Sequence, residues 1–152
     1  MERTFVIIKP DAVQRGLIGE IITAFERKGL KVLGLKMLHI TESQAERQYA
    51  IHKGKAFYDS LVKFMTSGPC VALALEGRNA IHIVRKLVGA TDPAQSEPGS
   101  LRGRYSVDMK HNLIHASDSP ESVKHELPIF FSEQELMAYE MSYFPWLYSQ
   151  VV

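Results

Sequence analysis

A histidine in the C-terminal third of the chain stands in a segment suited to nucleophilic chemistry. The segment reads Asn112-Leu113-Ile114-His115-Ala116-Ser117-Asp118, with an apolar pair before the histidine and small or polar residues after it. The apolar pair indicates a short strand ending near His115, and Ser117 can hydrogen-bond to a carboxylate or a leaving oxygen. Neutral imidazole is a good nucleophile near pH 7. On this local pattern alone, a structural histidine is the commoner explanation and a catalytic one the alternative.

The spacing of His111 and His115 raises a second alternative, a metal-binding pair on a helix. Leu113 and Ile114 between them favour a strand instead, and no cysteine or obvious third ligand accompanies them. We therefore expect the protein to supply no metal site of its own. The other histidines have no distinctive setting and are interpreted as surface or structural residues: His39, His52, His82 and His125.

Cationic side chains near predicted turns are candidates for holding phosphate groups. Lys9 ends an apolar run, and Arg85 lies at the edge of a helical apolar stripe. Arg102 shares a long segment with Thr91. A guanidinium group matches phosphate geometry, and lysine supplies a point charge. The glycine-rich phosphate-binding motifs are absent, so side chains would have to do the binding. Taken singly, each cation is more often a solvated surface charge.

Short apolar runs and amphipathic stripes predict the elements that position these side chains. Three runs are suited to buried strands: 4–9, 30–40 and 70–76. Apolar residues at helical spacing predict helices at 17–25, 57–65 and 81–88. With the strand before His115, the order is βαββαβ with a helical insert. That order predicts an α/β (α+β) ferredoxin-like sandwich, with an antiparallel four-stranded sheet and helices on its face.

Capping residues predict where helices begin. Asp11 and Asn79 precede helical stripes and are predicted N-caps. Thr41-Glu42-Ser43-Gln44 has the pattern of a capping box, and Ser119-Pro120 and Ser132-x-x-Glu135 indicate two later helix starts. The segment from 90 to 104 is predicted to be a long irregular loop. Such loops are usually functional or disordered, and its two prolines favour a shaped, functional one.

Length and charge restrict the class of protein. The chain of 152 residues is expected to form a single domain, 1–152. Its formal net charge of +1 argues against nucleic acid as the primary partner. Cys70, the single cysteine, lies in an apolar run and is predicted to be buried. The interruption Lys9-Pro10-Asp11 is unlike a secretory signal, and no run reaches the ~18 apolar residues of a membrane span. A cytoplasmic location without a membrane partner is expected.

Several segments, in the correct order, resemble the nucleoside diphosphate kinase family. Residues 112–118 match the family's active-site signature, N-x-x-H-[GA]-S-D. Residues 4–16 look like its first strand and turn, and Gly19-Glu20-Ile21-Ile22 continues the match. Shorter matches lie at 67–69, 76–77, 89–94 and 98–103. The resemblance covers nearly the whole chain, from Thr4 to Tyr148.

The resemblance implies a reaction and a role for each matched residue. The family transfers the γ-phosphoryl group of a nucleoside triphosphate, mainly ATP, to a nucleoside diphosphate by a ping-pong route. His115 matches the histidine that becomes phosphorylated, and Ser117 and Glu126 match the pair that orients it. Phe57 matches the ring on which the base stacks, which implies broad base specificity. Residues matching the phosphate- and sugar-binding positions are Lys9, Tyr49, Arg85, Thr91, Arg102 and Asn112.

The resemblance also implies a cofactor and an assembly. A Mg²⁺ ion normally bridges the nucleotide phosphates, and with Lys9, also counted as catalytic, it would stabilise charge on the transferred group. Family members are tetramers or hexamers. The tail at 144–148 resembles the longer, typically hexameric members, and Pro98 matches a proline near subunit contacts. We therefore expect a homo-oligomer, with a hexamer favoured over a tetramer.

Some positions depart from the commonest family pattern, and two other functions remain as alternatives. Asp92 stands where Asn is usual, Ser100 where Thr is usual, and Arg104 where an acidic or amide residue is common. Arg104 leaves the local charge near the nucleotide open. An RNA-recognition domain shares the βαββαβ order, and residues 102–105 faintly match its RNP1 motif, but the following aromatic positions are missing. A regulatory protein that keeps the fold is the other alternative.

Overall fold

An antiparallel sheet of four strands forms the centre of the protein. In the computed structural model, which describes residues 1–149, the strands are β1 (Glu2–Ile8), β2 (Lys31–His39), β3 (Pro69–Gly77) and β4 (Ile114–Ala116). Their order across the sheet is β2-β3-β1-β4. The predicted ferredoxin-like fold is therefore confirmed. Residues 150–152 of the predicted domain lie outside the described part of the chain.

Helices pack on both faces of the sheet. The sequence pattern predicted helices on its face without specifying that both faces are covered. The α-helices of the described residues are α1 (Pro10–Gln14), α2 (Ile18–Arg27), α3 (Glu42–Gln48), α4 (Tyr58–Met65), α5 (Ala80–Val88), α6 (Leu101–Tyr105), α7 (Pro120–Phe130) and α8 (Phe144–Leu147). Residues of α2 and α5 pack in one core, and residues of α3 and α7 pack in the other. No helix among residues 1–149 is long and apolar enough to cross a membrane.

Strand β1 separates the two cores because successive side chains of a strand point to opposite faces. Phe5 and Ile7 fill one core, and Val6 and Ile8 fill the other. β1 is hydrogen-bonded on both edges, to β3 and to β4, and it is buried from Thr4 to its end. The residue after β1 therefore leaves the sheet from a rigid, central position.

Of two predicted N-caps, the one at Asp11 is wrong, and the one at Asn79 is correct in position but lacks a capping side-chain hydrogen bond. Asp11 lies inside the first turn of α1, and its Oδ2 accepts a hydrogen bond of 3.1 Å from the backbone N–H of Leu113. Asn79 occupies the N-cap position of α5 with φ 52, and its side chain makes no capping hydrogen bond. Oε1 of Glu2 accepts the N–H of Ile81 at 2.8 Å instead.

Other helix starts follow their local signals. The predicted capping box at Thr41 and Gln44 is present in both directions. Ser119 caps α7 by accepting the N–H of Ser122 at 3.1 Å. The capping box at Ser132 is also present, but it opens a 3₁₀ turn, Glu133–Glu135, and not an α-helix.

The segment from 90 to 104 is more regular than predicted. It contains a 3₁₀ turn, Pro93–Gln95, and most of α6, so the prediction of an irregular loop is wrong for these residues. Ser100 caps α6 by accepting the N–H of Gly103 at 3.1 Å. A Cβ on Gly103 would stand 1.9 Å from the carbonyl oxygen of Glu97, so this turn requires glycine. Side-chain caps and this close approach give the segment its shape.

Candidate active site

A cavity of about 990 Å³ opens beside the end of β1 and the short strand β4. Of the residues predicted for the site, those that line it are Lys9, Tyr49, Phe57, Arg85, Thr91, Arg102, Asn112, His115 and Glu126. Ser117 is buried behind the wall and contacts Glu126. The fold thus brings together residues from six separated segments.

Strand β4 holds His115 at the cavity wall. Its backbone pairs with Ile7 of β1, while the neighbouring side chains of Ile114 and Ala116 belong to the apolar core on the other face. The imidazole keeps 23% of its side-chain surface exposed. A buried strand therefore anchors the histidine on one side and leaves its ring accessible from the cavity.

Glu126 of α7 determines which ring nitrogen of His115 is available. Its Oε1 contacts Nε2 of His115, and its Oε2 accepts a hydrogen bond of 3.1 Å from Oγ of Ser117. Since a carboxylate only accepts hydrogen bonds, this contact favours the tautomer with the proton on Nε2. The Nδ1 atom then carries a lone pair and is chemically able to act as a nucleophile.

Glu126 is held as a carboxylate although it is only 5% exposed. Burial by itself raises the pKa of this group, but hydrogen bonds outweigh it and leave the pKa below its ordinary value. Those bonds come from the side chains of His115, Gln48 and Ser117. The buried negative charge is thus compensated by three donors and can balance positive charge on the imidazole.

Lys9 lies directly after β1 and is joined to two other segments. Its Nζ donates to Oδ1 of Asn112 at 2.8 Å, and Nδ2 of Asn112 donates to the carbonyl oxygen of Thr91 at 3.2 Å. Burial and the nearby charge of Arg102 lower the pKa of Lys9 to about 8. The ammonium group therefore remains mostly charged at pH 7.

The two arginines have different surroundings. Arg102 of α6 is 4% exposed and donates to three backbone carbonyl oxygens, those of Gly89, Asn112 and Ile114. Burial and the charge of Arg85 lower its pKa. A guanidinium group has five N–H donors, so two remain for a ligand. Arg85 of α5 is exposed and donates to the carbonyl oxygen of Ala116 at 3.1 Å.

Aromatic side chains form another part of the wall. Tyr49 follows α3, and its ring stands edge-on to His115 with centroids 6.0 Å apart. Its hydroxyl is buried without a hydrogen-bond partner among residues 1–149, and burial raises its pKa, so it remains a protonated donor. Phe57 at the start of α4 is 45% exposed, and the ring of His52 lies 5.2 Å from it. An exposed ring on a cavity wall offers a flat apolar surface.

Gln48 and Met109 are among the cavity residues that were not predicted from the sequence. Gln48, the last residue of α3, donates from Nε2 to Oε1 of Glu126, and its Nε2 lies 3.0 Å from Nε2 of His115. It is 78 residues away from Glu126 in the chain, and packing of α3 against α7 brings the two together. Met109 lines the cavity and is 58% exposed. Its exposure as a large apolar side chain is visible only in the fold.

A carboxylate-bound histidine in a cavity lined by cationic side chains, Lys9, Arg85 and Arg102 among them, defines the class of site: one suited to phosphoryl transfer. A family model described as nucleoside diphosphate kinase matches residues 2–136. A nucleoside diphosphate kinase of Archaeoglobus fulgidus is 51% identical over 150 residues, 99% of this chain and 99% of that protein. The chain therefore belongs to the nucleoside diphosphate kinase family and is a phosphotransferase enzyme.

Further relatives agree on fold and family. A Kosmotoga olearia nucleoside diphosphate kinase is 54% identical over 141 residues, 93% of this chain and 96% of that protein. The structure of a halophilic nucleoside diphosphate kinase from Halobacterium salinarum in complex with CDP has a TM-score of 0.94 and 48% identity, over 97% of this chain and 98% of that chain. A Babesia bovis family protein has a TM-score of 0.95 and 42% identity, over 97% and 100% of the two chains. The resemblance seen in the sequence is confirmed.

Proposed function

We propose that this enzyme transfers the γ-phosphoryl group of a nucleoside triphosphate, mainly ATP, to a nucleoside diphosphate by a ping-pong route through phosphorylated His115. The observation that supports this most directly is the contact between Oε1 of Glu126 and Nε2 of His115, which leaves Nδ1 as the nucleophile. Around it stand Lys9, Arg85 and the remaining donors of Arg102, which suit a phosphate chain.

In the first half-reaction, the lone pair on Nδ1 of His115 attacks the γ-phosphorus. A nitrogen–phosphorus bond forms, the bond between phosphorus and the β–γ bridging oxygen breaks, and its electron pair leaves with the nucleoside diphosphate. The imidazole gains positive charge, which the carboxylate of Glu126 balances through the retained proton on Nε2. Lys9 and Arg102 stabilise the equatorial oxygens of the group in transfer.

In the second half-reaction, an acceptor diphosphate takes the place of the first product. A terminal β-phosphate oxygen attacks the phosphorus, the nitrogen–phosphorus bond breaks, and its electron pair returns to Nδ1. Both halves use the same groups in reverse order, so one site serves donor and acceptor. The structure of the Halobacterium salinarum relative in complex with CDP supports a nucleoside diphosphate as a ligand of this enzyme.

The nucleotide is proposed to bind through groups that distinguish little between bases. Phe57 stacks on the base, and every base has a flat face for such stacking, so broad base specificity follows. Tyr49, with its unpaired buried hydroxyl, and Thr91 and Asn112, joined by a hydrogen bond, are proposed to bind the sugar and phosphates.

The residues present fit a Mg²⁺ ion held mainly by the nucleotide phosphates. No group of three or more His, Cys, Asp or Glu side chains within residues 1–149 is placed to hold a metal ion. The acidic residues Asp118 and Glu121 line the cavity and suit the hydration shell of a phosphate-bound ion. When bound, magnesium would neutralise part of the phosphate charge.

The proposed assembly is a homo-hexamer, in preference to a tetramer, in the cytoplasm. Large apolar side chains remain exposed on a single chain, including Val107 at 98% and Trp146 at 92%. Light scattering is expected to give a mass of about six times the 17.2 kDa chain. A monomer would contradict the assembly and leave the phosphotransfer proposal untouched. A buried, free Cys70 fits a reducing compartment.

Labelling with γ-phosphate tests the covalent route. After incubation with γ-labelled ATP and Mg²⁺, the protein is expected to carry acid-labile, alkali-stable label that GDP or CDP discharges. His115→Ala should carry no such label, whereas His82→Ala, a change at an exposed histidine of α5, should label like the wild type. Absence of label on the wild type, or unchanged label on His115→Ala, would rule out the mechanism.

A further inference from the structure

The amide of Gln48 shares one carboxylate oxygen with the reactive histidine. Gln48 is 5% exposed at the end of α3, and its Nε2 donates to Oε1 of Glu126. The same oxygen contacts Nε2 of His115, and the two nitrogens stand 3.0 Å apart. Three side chains from α3, β4 and α7 therefore meet at one buried point.

Only one orientation of the Gln48 amide suits this point. With Nε2 towards Glu126, a donor faces a carboxylate oxygen, whereas the flipped amide would set its carbonyl oxygen against another acceptor. The observed orientation leaves Oε1 of Gln48 buried without a hydrogen-bond partner among the described residues. Buried polar atoms usually find a partner, so the contact with Glu126 outweighs this loss.

The arrangement also discriminates between the two tautomers of His115. If the proton were on Nδ1, Nε2 would be an acceptor facing the acceptor Oε1 of Glu126. The second amide hydrogen of Gln48 could turn towards that nitrogen, but the two acceptors, Nε2 of His115 and Oε1 of Glu126, would still be in contact. With the proton on Nε2, both His115 and Gln48 donate to Oε1 of Glu126, and the 3.0 Å contact between their nitrogens joins two donors that share this one acceptor.

We propose that Gln48 is a positioning residue, which orients the Glu126 carboxylate so that His115 keeps its proton on Nε2 and presents Nδ1 for phosphorylation. This inference rests on the proposed phosphohistidine route. Gln48 acts through Glu126 and transfers no proton itself. Its effect belongs to the chemical step and not to nucleotide affinity, because its polar contacts are with Glu126 and His115.

The substitution Gln48→Met tests the role because it keeps the length of the side chain and removes the amide donor. The single-turnover rate of His115 phosphorylation by ATP is expected to fall about tenfold, the size of one hydrogen bond to a charged group. The KM for ATP should change less than twofold. Imidazole ¹⁵N NMR of the free enzyme should show a larger fraction of His115 with the proton on Nδ1.

Two further variants complete the test. Gln134→Met makes the same chemical change at an exposed position and should leave rate and spectrum as in the wild type. Gln48→Glu keeps the side-chain shape but, when ionised at pH 8, sets an acceptor against Glu126, and its rate should fall below that of Gln48→Met. If circular dichroism shows that Gln48→Met is unfolded, Gln48→Glu is compared with the wild type instead.

The outcomes separate this inference from the proposed function. Wild-type protein that takes no label contradicts the phosphohistidine route itself. Labelled wild type, together with wild-type rate and ¹⁵N spectrum in the folded Gln48 variants, overturns the positioning role alone. Equal losses in the rate and in the apparent ATP affinity, with an unchanged spectrum, would also overturn it, because they indicate a loosened cavity.

Discussion

Ser117 donates a hydrogen bond of 3.1 Å from Oγ to Oε2 of Glu126. Both residues are almost completely buried, and they connect the end of β4 to the middle of α7. Because Oε1 of the same carboxylate contacts His115, Ser117 holds the oxygen that the histidine does not use. Each of the two carboxylate oxygens of Glu126 is therefore held by a different residue.

The substitution Ser117→Ala should slow phosphorylation of His115 and lower stability. Hydrogen bonds to charged groups are worth about 1.5–3 kcal/mol, so the single-turnover rate is expected to fall about 10- to 100-fold. The free energy of unfolding should fall by about 1–3 kcal/mol, because a buried acceptor loses its partner. Rapid-quench labelling and urea denaturation measure the two effects. Ser43→Ala, at an exposed position in α3, is the control and should change neither.

The pH dependence of nucleotide binding should reflect the ionisation of Lys9. Its pKa of about 8 means that it loses its charge as the pH rises above 8. The affinity for a nucleoside diphosphate is therefore expected to weaken between pH 7 and pH 9.5, as measured by isothermal titration calorimetry. In Lys9→Met the affinity should be lower at pH 7, and this weakening with pH should be absent. An equal pH dependence in both proteins would assign it to another group.

Lys9 also affects the stability of the protein, which should rise with pH where nucleotide affinity falls. The pKa falls from 10.5 in the unfolded chain to about 8 in the folded protein, so the folded state disfavours the charged form. The difference of about 2.5 units corresponds to at most about 3 kcal/mol. This destabilisation is complete below pH 8 and is relieved as the pH rises towards 10.5. In urea denaturation, the free energy of unfolding of the wild type should rise over this pH range, and that of Lys9→Met should not.

The substitution Gly103→Ala should destabilise the turn before α6. A Cβ there would meet the backbone oxygen of Glu97 at 1.9 Å, so the chain must shift, at a cost of about 1–3 kcal/mol. Because Arg102 is the adjacent residue, nucleotide affinity should weaken as well. Gly99→Ala is the matched control, since its added Cβ meets nothing within 4 Å. Equal denaturation midpoints for the two variants would contradict this account of the segment.

The substitution Phe57→Ala should weaken the binding of all nucleoside diphosphates to a similar extent. Base stacking on an aromatic ring is worth about 1–3 kcal/mol, so the dissociation constants should rise about 5- to 150-fold. Calorimetry with ADP, GDP, CDP and UDP tests this, with Phe57→Tyr as the variant that keeps a stacking surface. A loss confined to one base would show that Phe57 selects bases instead of stacking on all of them.

Short-range patterns were sufficient for most elements of the fold. The capping box of Thr41 and Gln44 is present, and so are the strands predicted at 4–9 and 70–76, apart from their end residues. These signals depend on residues within about four positions of each other, so they can be recognised from the sequence alone. The same reasoning was wrong for Asp11, which accepts the N–H of Leu113 instead of capping a helix, and it was correct only in position for Asn79, where Glu2 accepts the N–H of Ile81.

The sequence by itself determined the family, and it distinguished His115 from the other histidines as the candidate nucleophile. The signature around His115 is contiguous, and the accompanying motifs occur in order along the chain. The family match over residues 2–136 and the 51% identity to the Archaeoglobus fulgidus enzyme depend on the same residue order along the chain.

Only the tertiary structure decided how the site is assembled. Lys9 reaches Asn112 across 103 positions, and Gln48 reaches Glu126 across 78. No periodicity or cap relates residues so far apart, because their separation depends on how the sheet and α7 pack. The tautomer of His115 has the same origin. A residue's type supplies its chemical capacity, and burial next to particular partners decides which of its atoms carries a proton and which carries a lone pair.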